Sequence, residues 1–195
     1  MSATPGISSP RLLVLMAIGI AVNIGLGQIV STLSLPVFLD SLGTMVVALM
    51  AGPLAGLTTG LVTNLIWGLA ASPTAAAFAP VAAVIGLAAG LLARWGMFRG
   101  PVQAAISGAI IAVALAFVAV PIRVWMFGGV TGSGADFLTG WLVQSGRDLF
   151  SSTLITVVTS NLVDKIVTAL IAWGVVRGLP ARTASEWPFL RHSWP

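Results

Sequence analysis

Ser160, Asn161, Asp164, Lys165 and Thr168 form the densest set of reactive side chains in this sequence, and they sit in an otherwise apolar stretch. In a membrane, a central Asp or Lys costs about 2.5–3.5 kcal/mol even on the mildest insertion scale, so such residues face protein or a water-filled cavity. Neighbours at i and i+1 point apart on a helix, which predicts poor pairing between Asp164 and Lys165 themselves; Asn161 and Thr168 are spaced to border both. Two readings stand. In one, the group is a structural network in which Asp164 or Asp40 pairs with Arg123 or Lys165 from another helix. In the other, Asn161 and Lys165 are ligand contacts on a cavity floor. A second set is Arg147-Asp148 with Trp125 and Trp141. These tryptophans are either interfacial anchors or the aromatic wall of a site for a flat heterocycle. The third is Asn64, the one strongly polar member of the series Gly52, Gly56, Gly60, Asn64, Gly68. Residues four apart lie nearly above one another on a helix, and small ones let a neighbouring backbone come close in lipid. The series is therefore a packing groove, or a groove whose Asn64 looks into a ligand cavity.

Catalysis has little to work with. The single histidine, His192, is the fourth residue from the end of the sequence, and there is no cysteine. No paired carboxylates share a helix face, and no cluster has the spacing of a metal site. Gly128-Gly129-x-x-Gly132-x-Gly134 has the look of a phosphate loop, yet it follows no strand and lacks the lysine. The expectation is a protein that is not an enzyme, with no catalytic residue, no metal and no cofactor of its own.

The elements that must position these residues are membrane helices. Of 195 residues, 57% are hydrophobic and 7% charged, with mean hydropathy +1.05. A soluble domain carries about 25% charged residues. The net charge of +4 comes from nine scattered basic residues, which suits membrane topology better than nucleic acid. The stretch MSATPGISSPR has neither a basic n-region nor a small-residue cleavage site, so no removable signal peptide is expected there. The expected fold is an all-α integral membrane protein, a six-transmembrane-helix bundle in one domain. Its helices cover about 12–30, 37–51, 54–69, 75–95, 102–127 and 147–176, and a polar cytoplasmic tail covers about 177–195. Asp40 falls in the first turn of the second helix, where a carboxylate suits the helix dipole. Residues 128–146 form a long connection of the kind that is functional or mobile. With an even number of spans, Arg11, Arg94, Arg99, Arg177, Arg182 and Arg191 share the side of both termini, which the positive-inside rule makes cytoplasmic. Trp95 and Trp173 then mark the inner interface, Trp67 and Trp125 the outer. The expected ligand position is between the third, fifth and sixth spans, under the long connection.

Asp40-x-x-Gly43-Thr44, Gly52-Pro53-x-x-Gly56 and Thr63-Asn64-Leu65-Ile66, in a chain of six short helices, resemble the substrate-binding S components of energy-coupling-factor vitamin transporters. Val163-Asp164-Lys165-Ile166 followed by Leu179-Pro180 is also similar, and the resemblance covers about residues 11–180. Ala17-x-x-x-Ala21 looks like the motif those proteins present to their transmembrane T subunit. The resemblance implies a binder of a vitamin or related micronutrient near the outer face of a bacterial or archaeal cytoplasmic membrane. It implies loops after the first, third and fifth helices that close over the ligand. It also implies partners: the T subunit at Ala17 and Ala21, and two ATPases, because this chain has no Walker sequence and ATP is used by the partners only. The rival readings are a stand-alone secondary transporter, with only Asp164 and Lys165 available for coupling and no inverted repeat evident, and a non-transporting scaffold or sensor. The candidate site is Asn64, Trp125, Trp141, Arg147, Asn161 and Lys165.

Overall fold

A computed structural model describes residues 10–192; the stretch read for a signal peptide lies almost entirely outside them. The described residues are helical without strands: α1 (Pro10–Thr32), α2 (Leu42–Ala51), α3 (Pro53–Ala70), α4 (Pro73–Ala77), α5 (Ala79–Arg94), α6 (Pro101–Phe127), α7 (Asp136–Gln144), α8 (Leu149–Arg177), α9 (Ala181–Ser185) and a 3₁₀ turn (Pro188–His192). Four helices, α1, α3, α6 and α8, are long and apolar enough to cross a membrane. α5, with 16 residues, and α2, with 10, are shorter. At 1.5 Å per residue α2 extends only about 15 Å.

The short α2 is the centre of the bundle. It packs against α1, α3, α5 and α8, and Met45, Ala48 and Leu49 are fully buried. A helix apolar on every side belongs in a core. Around it α3 lies along α5 and α6 along α8. The small-residue groove makes the first of these contacts: a Cβ on Gly56 would collide with the Gly86 carbonyl, and one on Gly60 with that of Ala82. Close backbone approach is the use of small residues between membrane helices.

The start of α2 is capped from another helix. Its N-cap, Ser41, makes no side-chain cap bond. Instead Asn23 of α1, wholly buried, accepts from Gly43 N–H at 2.7 Å and Thr44 N–H at 3.4 Å. Its Nδ2 donates to Thr44 Oγ1 at 2.8 Å and Thr63 Oγ1 at 3.2 Å. One carboxamide thus joins α1, α2 and α3 and satisfies helix-terminal N–H groups that have no partner within their own helix.

Four expectations are corrected. The second helix begins at Leu42 rather than 37, so Asp40 lies in the connection before it and not in its first turn. The span expected at 75–95 is broken at Phe78, because Pro80 sits in the first turn of a new helix and cannot continue the one before. The connection 128–146 is helical over Asp136–Gln144. Finally, the residues after Arg177 fold back onto the bundle: Leu190 is buried in the core, Phe189 lies against Gly52 and Glu186 pairs with Arg11 at 3.0 Å. His192 belongs to this packed segment, its Nδ1 2.9 Å from the Phe189 carbonyl oxygen. Residues 193–195 lie outside the description. At the start of α8 Asp148 accepts from Ser151 N–H at 2.9 Å, and bonding to Ser151 holds its carboxyl below the usual aspartate range.

Candidate functional site

The connection between α1 and α2, residues 33–41, is irregular backbone that reaches inward to the middle of α8. Irregular backbone at membrane depth requires internal partners for its polar groups, and α8 supplies them. Asp164 Oδ1 accepts from Phe38 N–H at 3.0 Å and Leu39 N–H at 2.8 Å. Leu39 holds φ near 50°, a left-handed conformation unusual for a leucine. Lys165 Nζ donates to Ser41 Oγ at 2.8 Å, to Asp164 Oδ2 at 2.5 Å and, more loosely, to Asp40 Oδ1 at 3.5 Å. The expectation that Asp164 and Lys165 pair poorly is therefore overturned. Their Cα–Cβ bonds diverge, but the lysine's flexible four-carbon stem lets the ammonium reach back to its neighbour.

The segment after α6 is organised in the same manner. Asp136 accepts from the N–H groups of Thr131, Gly132 and Ser133 at 2.9, 2.7 and 3.1 Å. Arg123 forms an ion pair with Asp136 and donates from Nε to the Gly129 carbonyl at 3.0 Å. The glycine-rich stretch does form an anion-holding nest of backbone N–H groups. Its anion is the chain's own carboxylate. The network reading paired Asp164 or Asp40 with Arg123 or Lys165; Lys165 meets both carboxylates, whereas the partner of Arg123 is Asp136.

These two segments meet: a Cβ on Gly134 would strike the carbonyl of Ser34 and the backbone of Leu35. Below the contact lies a cavity of about 160 Å³. α3 contributes Asn64 and Trp67 to it, α6 Ala119 and Arg123, and α8 Val157, Asn161 and Lys165. The connections after α1, α3 and α6 overhang it with Leu35 to Ser41, Ser72 to Phe78 and Thr131 to Gly134. Phe78 stacks on Phe127 with ring centroids 5.8 Å apart, which ties the second of these connections to the end of α6.

Of the six predicted ligand residues, Asn64, Asn161 and Lys165 line this cavity. Trp125, Trp141 and Arg147 do not. Trp125 is 78% exposed on the last turn of α6, Trp141 is 64% exposed and borders an outer recess with Phe137 and Gly140. Arg147 is exposed in the turn before α8. Trp67, expected at the interface, is buried, lines the cavity and donates from Nε1 to Gln28 Oε1 at 3.0 Å. Its spacing of three from Asn64 placed both on one helix face, a signal available in the sequence. Phe78 and Ser41 carried no comparable signal.

The polar residues of the cavity differ in what they have left to offer. Lys165 and Arg123 are engaged by the chain's own carboxylates, as above. Asn161 donates from Nδ2 to the Val157 carbonyl at 2.9 Å, leaving its Oδ1 free to accept. Asn64 is 4% exposed, and its Oδ1 has no hydrogen-bond partner among the described residues. A buried amide left unpaired costs about 1–3 kcal/mol. Among the described residues no group of three or more His, Cys, Asp or Glu is placed to hold a metal ion.

Ala17 and Ala21 are both exposed on α1, and Gly25, one turn further, has nothing near its Cα. These small residues face away from the bundle, so internal packing does not account for them. No protein-family model, curated protein or solved structure matches this chain.

Proposed function

We propose that this chain is the substrate-binding S component of an energy-coupling-factor importer, holding a vitamin-like small molecule in the cavity lined by α1, α3, α5, α6 and α8. The observation that carries the reading is the unpaired Asn64 amide in a cavity overhung by three connections. A bound molecule supplies the partner for Asn64 Oδ1 that the chain itself does not. The motif resemblance from Asp40 through Lys165 supports the same reading, as does the placement of the overhanging segments after α1, α3 and α6.

In this reading the bundle crosses the membrane six times, with the shorter α2 and α5 completing the passes of the four long helices. Arg11, Arg94, Arg99, Arg177 and Arg182 mark the cytoplasmic end of a bacterial or archaeal membrane, and the cavity opens toward the outer face. The exposed Ala17-Ala21 notch receives the T subunit, and transport draws ATP from two partner ATPases. The chain itself catalyses no reaction. A stand-alone secondary transporter would need a free coupling group, and the two candidates, Asp164 and Lys165, are bonded to each other and to the connection 33–41.

Native mass spectrometry of the protein, expressed in a vitamin-rich medium and purified in mild detergent, tests this. The expected spectrum contains a one-to-one complex with a small molecule that is released on activation. A spectrum of empty protein alone, from rich and minimal media alike, refutes the reading.

A further inference from the structure

The unpaired polar atoms of the cavity narrow the chemistry of its occupant. We propose that the cavity selects a single-ring heterocycle that carries no negative charge and has an N–H donor beside an acceptor on one edge, read by the Asn64 carboxamide. This rests on the binding role proposed above.

Three observations converge. The first is charge. Lys165 is held by Asp164 and Asp40, and Arg123 by Asp136. Neither cation remains free for a carboxylate or phosphate ligand, and desolvating an anion without a partner is expensive. The second is the amide. Asn64 Oδ1 lacks a partner while its residue lines the cavity. A carboxamide presents a donor and an acceptor side by side, the pattern by which asparagine reads the amino and ring-nitrogen edge of adenine. Rotation about its terminal torsion lets it serve either order. Asn161 adds an acceptor from α8 through its Oδ1, while one hydrogen of its N–H₂ is given to the Val157 carbonyl. The third is size and shape. Trp67 and Phe78 offer aromatic faces, and a cavity of about 150 Å³ is enough to hold benzene. The volume here, about 160 Å³, fits one ring with a small substituent.

Titration calorimetry on the full chain in detergent, with 4-aminopyrimidine, pyrimidine and pyrimidine-4-carboxylate, tests the proposal. The first has the donor–acceptor edge, the second lacks the donor, and the third replaces it by a charge. 4-Aminopyrimidine should bind about tenfold more tightly than pyrimidine, as expected for a buried hydrogen-bond pair gained, and the carboxylate should bind weakest. In Asn64→Leu the tenfold preference should shrink to within about twofold, while pyrimidine still binds and so reports an intact cavity. If that variant loses all binding, the ranking of the three probes on the unaltered chain decides alone. Carboxylate binding equal to or tighter than that of the amine overturns the proposal. So does a preference that survives Asn64→Leu, or no binding of any probe. A chain that carries a co-purified molecule yet ignores 4-aminopyrimidine loses this inference alone. A chain empty and blind to all three loses the binding role as well.

Discussion

Removing both members of the Asp164–Lys165 pair should cost less than the two single removals added together. Asp164 and Lys165 are buried at 1% exposure each, and between them they satisfy Phe38 N–H, Leu39 N–H and Ser41 Oγ. Lys165→Met leaves the Asp164 carboxylate with two backbone donors and no counter-charge, beside Asp40. Breaking a buried pair from one side costs about 3–5 kcal/mol. Asp164→Asn keeps one acceptor oxygen for the two N–H groups but leaves the ammonium with Asp40 at 3.5 Å; it should cost about 2–4 kcal/mol. In the double variant the amide still holds the connection and no ammonium is left buried. Its cost should fall below the sum of the singles by about 2 kcal/mol, within the range of measured couplings between contacting residues. Reversible unfolding by dodecyl sulfate in mixed micelles, on all four proteins, gives the cycle. Additive costs would refute the pairing, and single costs below about 1 kcal/mol would refute the claim that these residues anchor the connection.

Asn23→Ala removes four hydrogen bonds at the junction of α1, α2 and α3. With interhelical bonds in membranes worth about 0.6 kcal/mol on average, it should cost roughly 2–3 kcal/mol in the same unfolding assay. Asn23→Asp, which keeps the oxygen that accepts from Gly43 and Thr44 N–H, should recover the α2 amide protection from hydrogen exchange that Asn23→Ala loses. Ala17→Trp with Ala21→Trp should leave ligand affinity of the isolated protein within about twofold, because both side chains project away from the bundle. The same pair should abolish uptake in cells containing the partner subunits, and unchanged uptake would remove that face from the transport model.

The long helices were legible because their apolar runs are bounded by proline and glycine. Pro53 and Pro101 begin α3 and α6 where the sequence placed the breaks. The start of α2 was not, because it is decided by Asp164, 125 positions from Leu39 along the chain. No local propensity carries that information. α7 was hidden by the glycine- and serine-rich stretch before it and by Gly140 within it. Asn64, Asn161 and Lys165 line the cavity, as intramembrane polar residues that must face the interior. Trp125, Trp141 and Arg147 lie outside the cavity because nearness to a polar stretch in sequence is not nearness in space. The last turn of α6 turns Arg123 inward and Trp125, two residues on, outward. The i, i+1 rule failed at Lys165 because it describes where side chains leave the helix and not how far they reach.

Filling the cavity tests most directly that it is where the small molecule sits. Ala119 lines it from α6 and is 4% exposed. Ala119→Phe places a ring where the occupant would lie. Native mass spectrometry of the two proteins prepared in parallel should find the small molecule on the unaltered chain and none on Ala119→Phe, with the variant unfolding at no lower dodecyl sulfate fraction. A variant that still carries the molecule at equal occupancy would contradict the account.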